Sequence, residues 1–531
     1  MKINRLFVPV YKNVTVNLEL HADQITLLVG QNGMGKSNLL EILLLIFDEL
    51  YQLKAKGKRA EKQPIHYEIE YECRGRNFAI TKMTDKHNFS EYSYRNDGSI
   101  TAWPVDIREM ELPNQIIGYY SGENKRIRML VEKHIKSEER SKRIMYSKDN
   151  EEASKPRKLF FAENRHSMLV LTTLLLYKNH HEYGENIQKV LHDIIRVDNC
   201  DRIHLRFRNP SFAKMRSLRK EGLTLEYYRD MLLQGEYLKG TNIFWGVRGN
   251  VDTLLRLLLF YCIDRGFNYD IMPAKNGAGE RFDIESIPDE EGFRNMLYER
   301  FPTPMSFLNA LEECFVLNMV ENFDITLHKE GERERYPYLN LSEGEQQYLT
   351  VMGLIAMSHS SRDETLFLLD EPDTHINPQW QRSYIEYIQK LCGSEGDRRS
   401  KAFFISTHSP LLVQAYKPQL VDMMLFKKYE DGRIKISMEN YSIENWRIDQ
   451  VLLSDYFALP TARSSELDEF MERRLKIIRG QGTQEDQNYV EARADRYGFL
   501  PTGETMDEID ALSYIHAEAK KLKEEKNEIS R

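Results

Sequence analysis

The sequence predicts an α/β protein built around a parallel sheet, and three observations carry that prediction. A glycine-rich loop, Gly30-Gln31-Asn32-Gly33-Met34-Gly35-Lys36-Ser37, follows a short apolar run and opens a helix-like segment. From Asp363 onward, buried strand, loop and helix alternate, the pattern of parallel strands joined by crossovers. About 300 residues after the glycine loop comes a second motif, Leu341-Ser342-Glu343-Gly344-Glu345-Gln346, and the segment between them reads as mainly helical.

Residues 3–10 and 14–20 alternate apolar and polar side chains, the period of half-buried strands, and residues 25–29 form a continuous apolar run. Residues 38–50 are rich in Leu, Ile and Glu and predict a helix, whereas the Lys-rich stretch 52–64 predicts a solvated loop. Strand alternation returns at 65–83. Between 122 and 335 the pattern predicts helices at 160–177, 186–195, 253–263 and 304–320. Neither sustained heptads nor a repeat of fixed period occurs there, which excludes a long coiled-coil arm. Residues 365–369 and 402–406 predict buried strands flanking a helix at 378–391. The tail predicts charged helices at 450–456, 465–478, 484–497 and 506–528, with Thr505 and Glu508 as a capping box for the last. The expected domains are 1–121, a first lobe; 122–335, a mainly helical insertion; 336–440, a second lobe; and 441–531, a helical tail.

Composition narrows the class. No apolar stretch reaches the ~18 residues needed to cross a bilayer, and the chain opens directly on a strand pattern without a secretory leader, so a cytoplasmic protein is expected. The five cysteines stand singly, which argues against a zinc cluster or disulfide framework and for reduced thiols. A net charge of -8 argues against a uniformly basic nucleic-acid coat but leaves room for local basic faces.

The glycine loop has the spacing Gly-x-x-x-x-Gly-Lys-Ser between a buried strand and a helix. Glycines let backbone amides turn inward around a phosphate, the helix N-terminus adds partial positive charge, and Lys36 adds a full one. Ser37 is then placed to ligate magnesium. The run Leu366-Phe367-Leu368-Leu369 ends in Asp370-Glu371, where a parallel strand delivers its C-terminal residues to the ligand crevice. Asp370 reaches the metal shell and Glu371 orients or deprotonates a water. Phe403-Phe404-Ile405-Ser406-Thr407-His408 is a second such strand, with His408 in reach of a terminal phosphate or, in a blander reading, capping the next helix.

In this order, the glycine loop, Leu341 to Glu345, Asp370-Glu371 and His408 resemble the ABC-type ATPase head shared by SMC-like, RecF-like and OLD-family proteins. The resemblance covers residues 1–120 and 335–430. It implies a mixed sheet with flanking helices and MgATP held between two copies. Gly30, Asn32, Gly33, Gly35, Lys36, Ser37 and Asn38 of one copy would face Ser342, Gly344 and Glu345 of the other. Glu343 replaces the first glycine of the usual signature. Asp373 to Asn377 would be the loop at the dimer seam, and Gln115 is the candidate for a glutamine that ligates the metal.

The wording Asp370-Glu371-Pro372-Asp373-Thr374-His375-Ile376-Asn377-Pro378 is most similar to OLD-type and defence-associated ATPases. OLD nucleases carry a further nuclease domain after the histidine; the residues beyond His408 read as helices and show no nuclease site. The chain therefore resembles the PtuA family, the ATPases of Septu-type antiphage systems, in its retron-associated form, through residues 442–459 and 500–504. That resemblance implies a separate HNH nuclease (PtuB-like) docked on the C-terminal helices, and a reverse transcriptase with multicopy single-stranded DNA as retron partners. Two alternatives stand beside it: a RecF-like DNA repair ATPase without a nuclease, and an interaction module with inactive ATPase chemistry.

Two basic stretches suggest nucleic acid. Residues 125–158 hold twelve Lys or Arg against six acids. In Arg202-Ile203-His204-Leu205-Arg206-Phe207-Arg208, alternation puts three arginines and a histidine on one strand face, and Lys214, Arg216, Arg219 and Lys220 follow. An ordinary solvated surface is the competing reading of both.

Overall fold

The structure, a computed structural model, describes residues 1–22, 24–57, 63–83, 86–94, 99–121, 158–163, 165–210, 245, 247–265, 269–272, 281–284, 291–329, 331, 334–358, 363–393, 400–416, 420–429, 432–438, 443, 446–457, 459, 465–478 and 480–497. The first basic stretch up to residue 157, Lys214, Arg216, Arg219, Lys220 and the tail from 498 lie outside the described residues.

Thirteen strands among the described residues form one mixed sheet. Its antiparallel wing has the order β7 (Ile100–Pro104), β6 (Asn88–Tyr94), β5 (Arg76–Lys82), β4 (Tyr67–Cys73), β1 (Lys2–Tyr11) and β2 (Val14–Glu19). Its parallel core has the order β17 (Val421–Lys428), β3 (Ile25–Val29), β16 (Lys401–Thr407), β15 (Thr365–Asp370), β8 (Gln115–Tyr120) and β9 (Leu159–Ala162). Between them β18 (Ile434–Met438) runs antiparallel to β17 and parallel to β2. The fold class is α/β, a mixed sheet with a P-loop and flanking helices, as the sequence predicts.

The core strands carry continuous apolar runs through their middles because both faces are covered. Leu27, Val29, Phe367, Leu369, Phe403 and Ile405 point into one core, packed by α2 (His166–Tyr177), α6 (Pro304–Val316), α7 (Glu343–Met357) and α8 (Pro378–Leu391). Leu28, Leu366, Leu368, Ala402 and Phe404 point into the other, packed by α1 (Lys36–Lys56) and the wing. Continuous apolar runs are what two-sided burial requires. Phe367 and Phe403, paired in register, stack at 4.6 Å between ring centres.

Helix α1 overruns its predicted end and replaces the first residues of the expected loop. Tyr51 donates to the Pro113 carbonyl at 2.8 Å and Lys54 donates to that of Met110, so tertiary contacts hold the added turn. Gly57, at φ 57°, ends it.

The segment expected to be mainly helical contains α2, α3 (Gly184–Val190, continued by a π turn at Leu191–Ile195), α4 (Gly249–Arg265), α5 (Glu291–Arg300) and α6. It also carries an antiparallel sheet in the order β11 (Tyr269–Met272), β12 (Arg281–Ile284), β10 (Val197–Arg208), β13 (Val320–Lys329) and β14 (Arg335–Pro337). Helix still outweighs strand among the described residues of the insertion, and this second sheet is the part that the helical expectation did not include. Residues 202–208 alternate as a strand as expected. The partner strand β13 begins at Val320, where the predicted helix was to end. Strand β9, within the same segment, pairs with β8 at the edge of the main sheet.

Beyond α9 (Pro410–Gln414) and α10 (Ile448–Leu453), helices α11 (Asp468–Ile478) and α12 (Gln484–Tyr497) pack against each other around Phe470, Met471, Tyr489 and Val490.

Candidate functional site

Strands β3, β15 and β16 run in parallel, so their C-terminal ends bring the glycine loop, Asp370-Glu371 and His408 to one edge of the sheet. The loop needs its glycines for conformation: Gly30, Gly33 and Gly35 have φ of 150°, 78° and 82°. At Gly35 a β-carbon would also stand 2.7 Å from Val14 Cγ2. Asn32 is exposed at the loop tip, and the Asn38 amide donates to Asn13 Oδ1 at 3.4 Å.

Lys36 is buried, and its Nζ donates to the carbonyls of Gly30 at 2.8 Å and Gln31 at 3.3 Å. It also lies 2.7 Å from Nε2 of His408. Burial lowers its pKa to about 8, while Glu371, Asp370 and Asp373 oppose the shift.

Asp370 is buried and accepts hydrogen bonds from the hydroxyls of Ser406 and Ser37. Burial raises its pKa, and those hydroxyls and Lys36 counter the effect. A serine hydroxyl beside a carboxylate is a hard-oxygen pair suited to Mg²⁺, so Ser37 and Asp370 fit the group that the glycine loop implies. Among the described residues no cluster of three or more His, Cys, Asp or Glu side chains could hold a metal alone, so the remaining ligands would come from phosphate and water.

Glu371 departs from the strand at φ 50°, a left-handed conformation uncommon outside glycine. Its N–H donates to the carbonyl and hydroxyl of Ser406, at 3.1 and 3.0 Å, and these bonds hold the turn. The turn swings the carboxylate to 3.1 Å from His408 Nε2. Hydrogen bonding to His408 depresses the Glu371 pKa and keeps the carboxylate ionised.

Four neighbours were not singled out from sequence. Ser406 pairs in register with Asp370, so its hydroxyl reaches that carboxylate. Thr407 donates to Asp373 at 2.8 Å, and burial raises the Asp373 pKa to about 6. Ser121, just past β8, lies 3.2 Å from the Thr374 hydroxyl. Gln347 of α7 donates to the Glu371 carbonyl at 3.5 Å. Hydroxyl residues at the ends of two apolar strands were the available signal.

Ser342 caps α7: its hydroxyl accepts from the Glu345 N–H at 3.2 Å, and the Glu345 carboxylate accepts from the Ser342 N–H at 2.8 Å. Within one chain Glu345 thus closes the helix end. Gly344 packs on the His375 carbonyl, where a β-carbon would collide. The signature helix and the 373–377 loop therefore sit as one unit.

Gln115 requires a correction. It opens β8 opposite Thr365, whereas Asp370 pairs with Tyr120 at the other end. Five residues of strand, at ~3.3 Å each, keep it ~16 Å from the acidic pair, so it is not in the metal shell.

On β10 the arginines share a face, as alternation required, but that face is paired with neighbouring strands. Asp283 of β12 accepts from His204 Nε2 at 2.6 Å and from Arg206 Nε at 3.0 Å and an Nη at 2.6 Å. Arg208 donates to the Asn318 carbonyl at 2.9 Å and to its side chain. Arg202 is exposed on the same face.

Residues 130–414, more than half of the chain, match the family described as "AAA domain, putative AbiEii toxin, Type IV TA system"; the match holds the signature, Asp370-Glu371 and His408. No curated protein matches the sequence. Among solved structures, the SMC head domain from Thermotoga maritima overlaps 83% of this chain and 100% of its own, at 11% identity and a TM-score of 0.31. The SMC head bound to the C-winged helix domain of ScpA overlaps 83% and 98%, at 12% and 0.30. The recombination mediator RecF with ATP, of the RecFOR pathway, overlaps 82% and 99%, at 15% and 0.26. The architecture described above rests on the chain's own strand order and motifs rather than on these overlaps.

Proposed function

The chain belongs to this AAA-domain family, and on that premise we propose that it is an ATPase that binds MgATP between two copies of itself and uses the bound state as a switch. The observation that carries the reading is that Lys36, His408 and Glu371 form one hydrogen-bonded chain at the strand ends that also bear the hydrogen-bonded pair Ser37–Asp370. Amides of the glycine loop and Lys36 would hold phosphate, and Ser37 and Asp370 would hold the metal. Bound magnesium supplies charge neutralisation for the transferred phosphoryl group. Glu371, kept ionised by His408, positions and deprotonates the attacking water. Lys36 exchanges the loop carbonyls for phosphate oxygens. Hydrolysis need not be fast, because nucleotide that favours the closed dimer already carries the signal.

Ser342 and Gly344, at a capped helix N-terminus, would face the nucleotide of the second copy. The further assignment is to bacterial antiphage defence of the Septu or retron type, with an HNH nuclease docked on α11 and α12. Its support is the wording of residues 370–378, the resemblance of 442–459, and a helical hairpin that packs on itself. A reverse transcriptase and its multicopy DNA belong to the same proposal. The competing reading, a RecF-like repair ATPase, shares the same site.

ATP turnover by the full chain, with Lys36→Ala as control, tests the ATPase reading; equal turnover by both would overturn it. Purification from its native host separates the two roles. A co-purifying small HNH protein supports defence, whereas retention on gapped DNA without such a partner supports repair.

A further inference from the structure

The residue that the sequence nominated for the metal shell lines a different site. Gln115 sits in a cavity of about 300 Å³ at the end of β8 and β15 away from Asp370, a volume at the low end of small-molecule pockets. Its side-chain nitrogen is buried without a hydrogen-bond partner. Across the same cavity Asn309 of α6, only 8% exposed, has its side-chain oxygen in the same condition. Buried polar atoms are costly to leave unpaired, so two in one cavity, a donor and an acceptor, describe a missing complementary group.

The remaining walls add to that description. Lys158 and Arg300 bring two cationic side chains, and Tyr183 and Phe301 bring aromatic surface. The one carboxylate among the described lining residues, Asp363, accepts from Asn114 at 2.8 Å. Positive charge, aromatic surface and an amide donor–acceptor pair together match a phosphate, a base face and a base edge.

We propose that this cavity is a second ligand site, for a nucleoside monophosphate, distinct from the glycine loop. The phosphate lies toward Lys158 and Arg300, and the base edge meets Gln115 and Asn309. Met357 and Ser358, which end the signature helix α7, line the cavity as well, so the ligand would rest on the far end of the helix that begins at Ser342.

Calorimetric titration of AMP into the full chain tests this, with adenosine and inorganic phosphate titrated in parallel. One AMP per chain is expected, with affinity unchanged in Lys36→Ala and weakened about tenfold or more in Arg300→Glu and in Asn309→Leu. Arg300 is exposed, so its variant keeps the test open if the buried one fails to fold. Absence of AMP binding at millimolar concentration would overturn the proposal. So would binding lost in Lys36→Ala but kept in Arg300→Glu, because AMP would then occupy the glycine loop. Phosphate binding as tightly as AMP, indifferent to Asn309→Leu, would reduce the cavity to a bare anion site and also defeat it.

Discussion

Glu371 and His408 face each other at 3.1 Å across the ends of two adjacent parallel strands, and the same imidazole nitrogen lies 2.7 Å from Lys36. One nitrogen cannot donate to the carboxylate and accept from the ammonium at once. When phosphate draws Lys36 away, Nε2–H is left to Glu371. The proposed base and the proposed phosphate-binding lysine are thereby linked through one ring.

Glu371→Gln keeps the shape of the turn at φ 50° but removes the proton acceptor. ATP binding is expected to persist while kcat falls about 10²- to 10⁴-fold, the usual worth of a general base. Light scattering with ATP should then show dimers that outlast those of the unmodified chain. Loss of ATP binding in this variant would place Glu371 elsewhere in the mechanism.

The pH dependence of nucleotide binding follows from Lys36. Its pKa is lowered from the usual lysine value to about 8 by burial, so the ammonium is present below pH 8 and is lost as pH rises through it. Only the protonated form attracts phosphate, so ATP affinity should fall by about tenfold per unit above pH 8. Titration with a fluorescent ATP analogue at pH 7, 8 and 9 measures this. Lys36→Arg, whose guanidinium stays charged, should bind with little dependence on pH over the same range.

Asp373 predicts a stability effect of known sign. Its folded pKa, about 6, lies above the ordinary 3.8 because burial disfavours the carboxylate. Below pH 4 both folded and unfolded chains hold the proton and the group costs nothing. Between pH 4 and 6 the unfolded chain releases its proton first, so stability falls with rising pH, and above 6 the full cost applies. Asp373→Asn can still accept from Thr407 and should stabilise the protein at pH 7.5, by at most about 3 kcal/mol, but not at pH 4. Thermal unfolding at the two pH values checks it; equal shifts at both would mean that the carboxylate is not the source.

Arg206→Ala separates a structural arginine from a nucleic-acid contact. Asp283 is buried and takes two hydrogen bonds from this guanidinium, leaving only His204 when it is removed. A loss of about 1–3 kcal/mol in stability is expected, with the unfolding midpoint lowered accordingly. Arg208→Ala removes bonds to the carbonyl and side chain of exposed Asn318, which water can replace, and should cost less. If DNA binding falls in Arg208→Ala at unchanged stability, that arginine belongs to an interface; a drop that merely follows stability would make the face structural.

What could be read in sequence was whatever local chemistry dictates. Two-sided burial writes an unbroken apolar run, so β3, β15 and β16 were visible, and with them the meeting of Lys36, Asp370, Glu371 and His408. The spacing of Ser342 and Glu345 carries the signal of a capped helix start, but these residues were read only through the resemblance. Gln115 was misplaced because a strand's residue types do not say which end meets the site; that depends on its parallel pairing with β15. The second sheet was hidden for a similar reason. Strand β13 gains its partners from β10, more than a hundred residues earlier, and its exposed face dilutes the apolar signal. Asp283 could not be foreseen as the partner of Arg206, since only register across β10 and β12 brings them together.

Gly344 joins the signature to the 373–377 loop through shape alone. A β-carbon there would meet the His375 carbonyl, which is backbone and cannot swing aside as a side chain would. Gly344→Ala must therefore push the start of α7 away from that loop, an overpacking cost of about 1–3 kcal/mol. Ser342→Ala instead removes a cap, with a cost of about 0.5–2 kcal/mol, and leaves the helix seated. The two variants should thus be comparable in thermal stability but differ in ATP-dependent dimerisation, measured by sedimentation with Glu371→Gln as the background. Gly344→Ala displaces the whole unit and should abolish the dimer, whereas Ser342→Ala should only weaken it. Equal dimerisation by both would mean that the seating of α7 on His375 does not set the surface offered to the second copy.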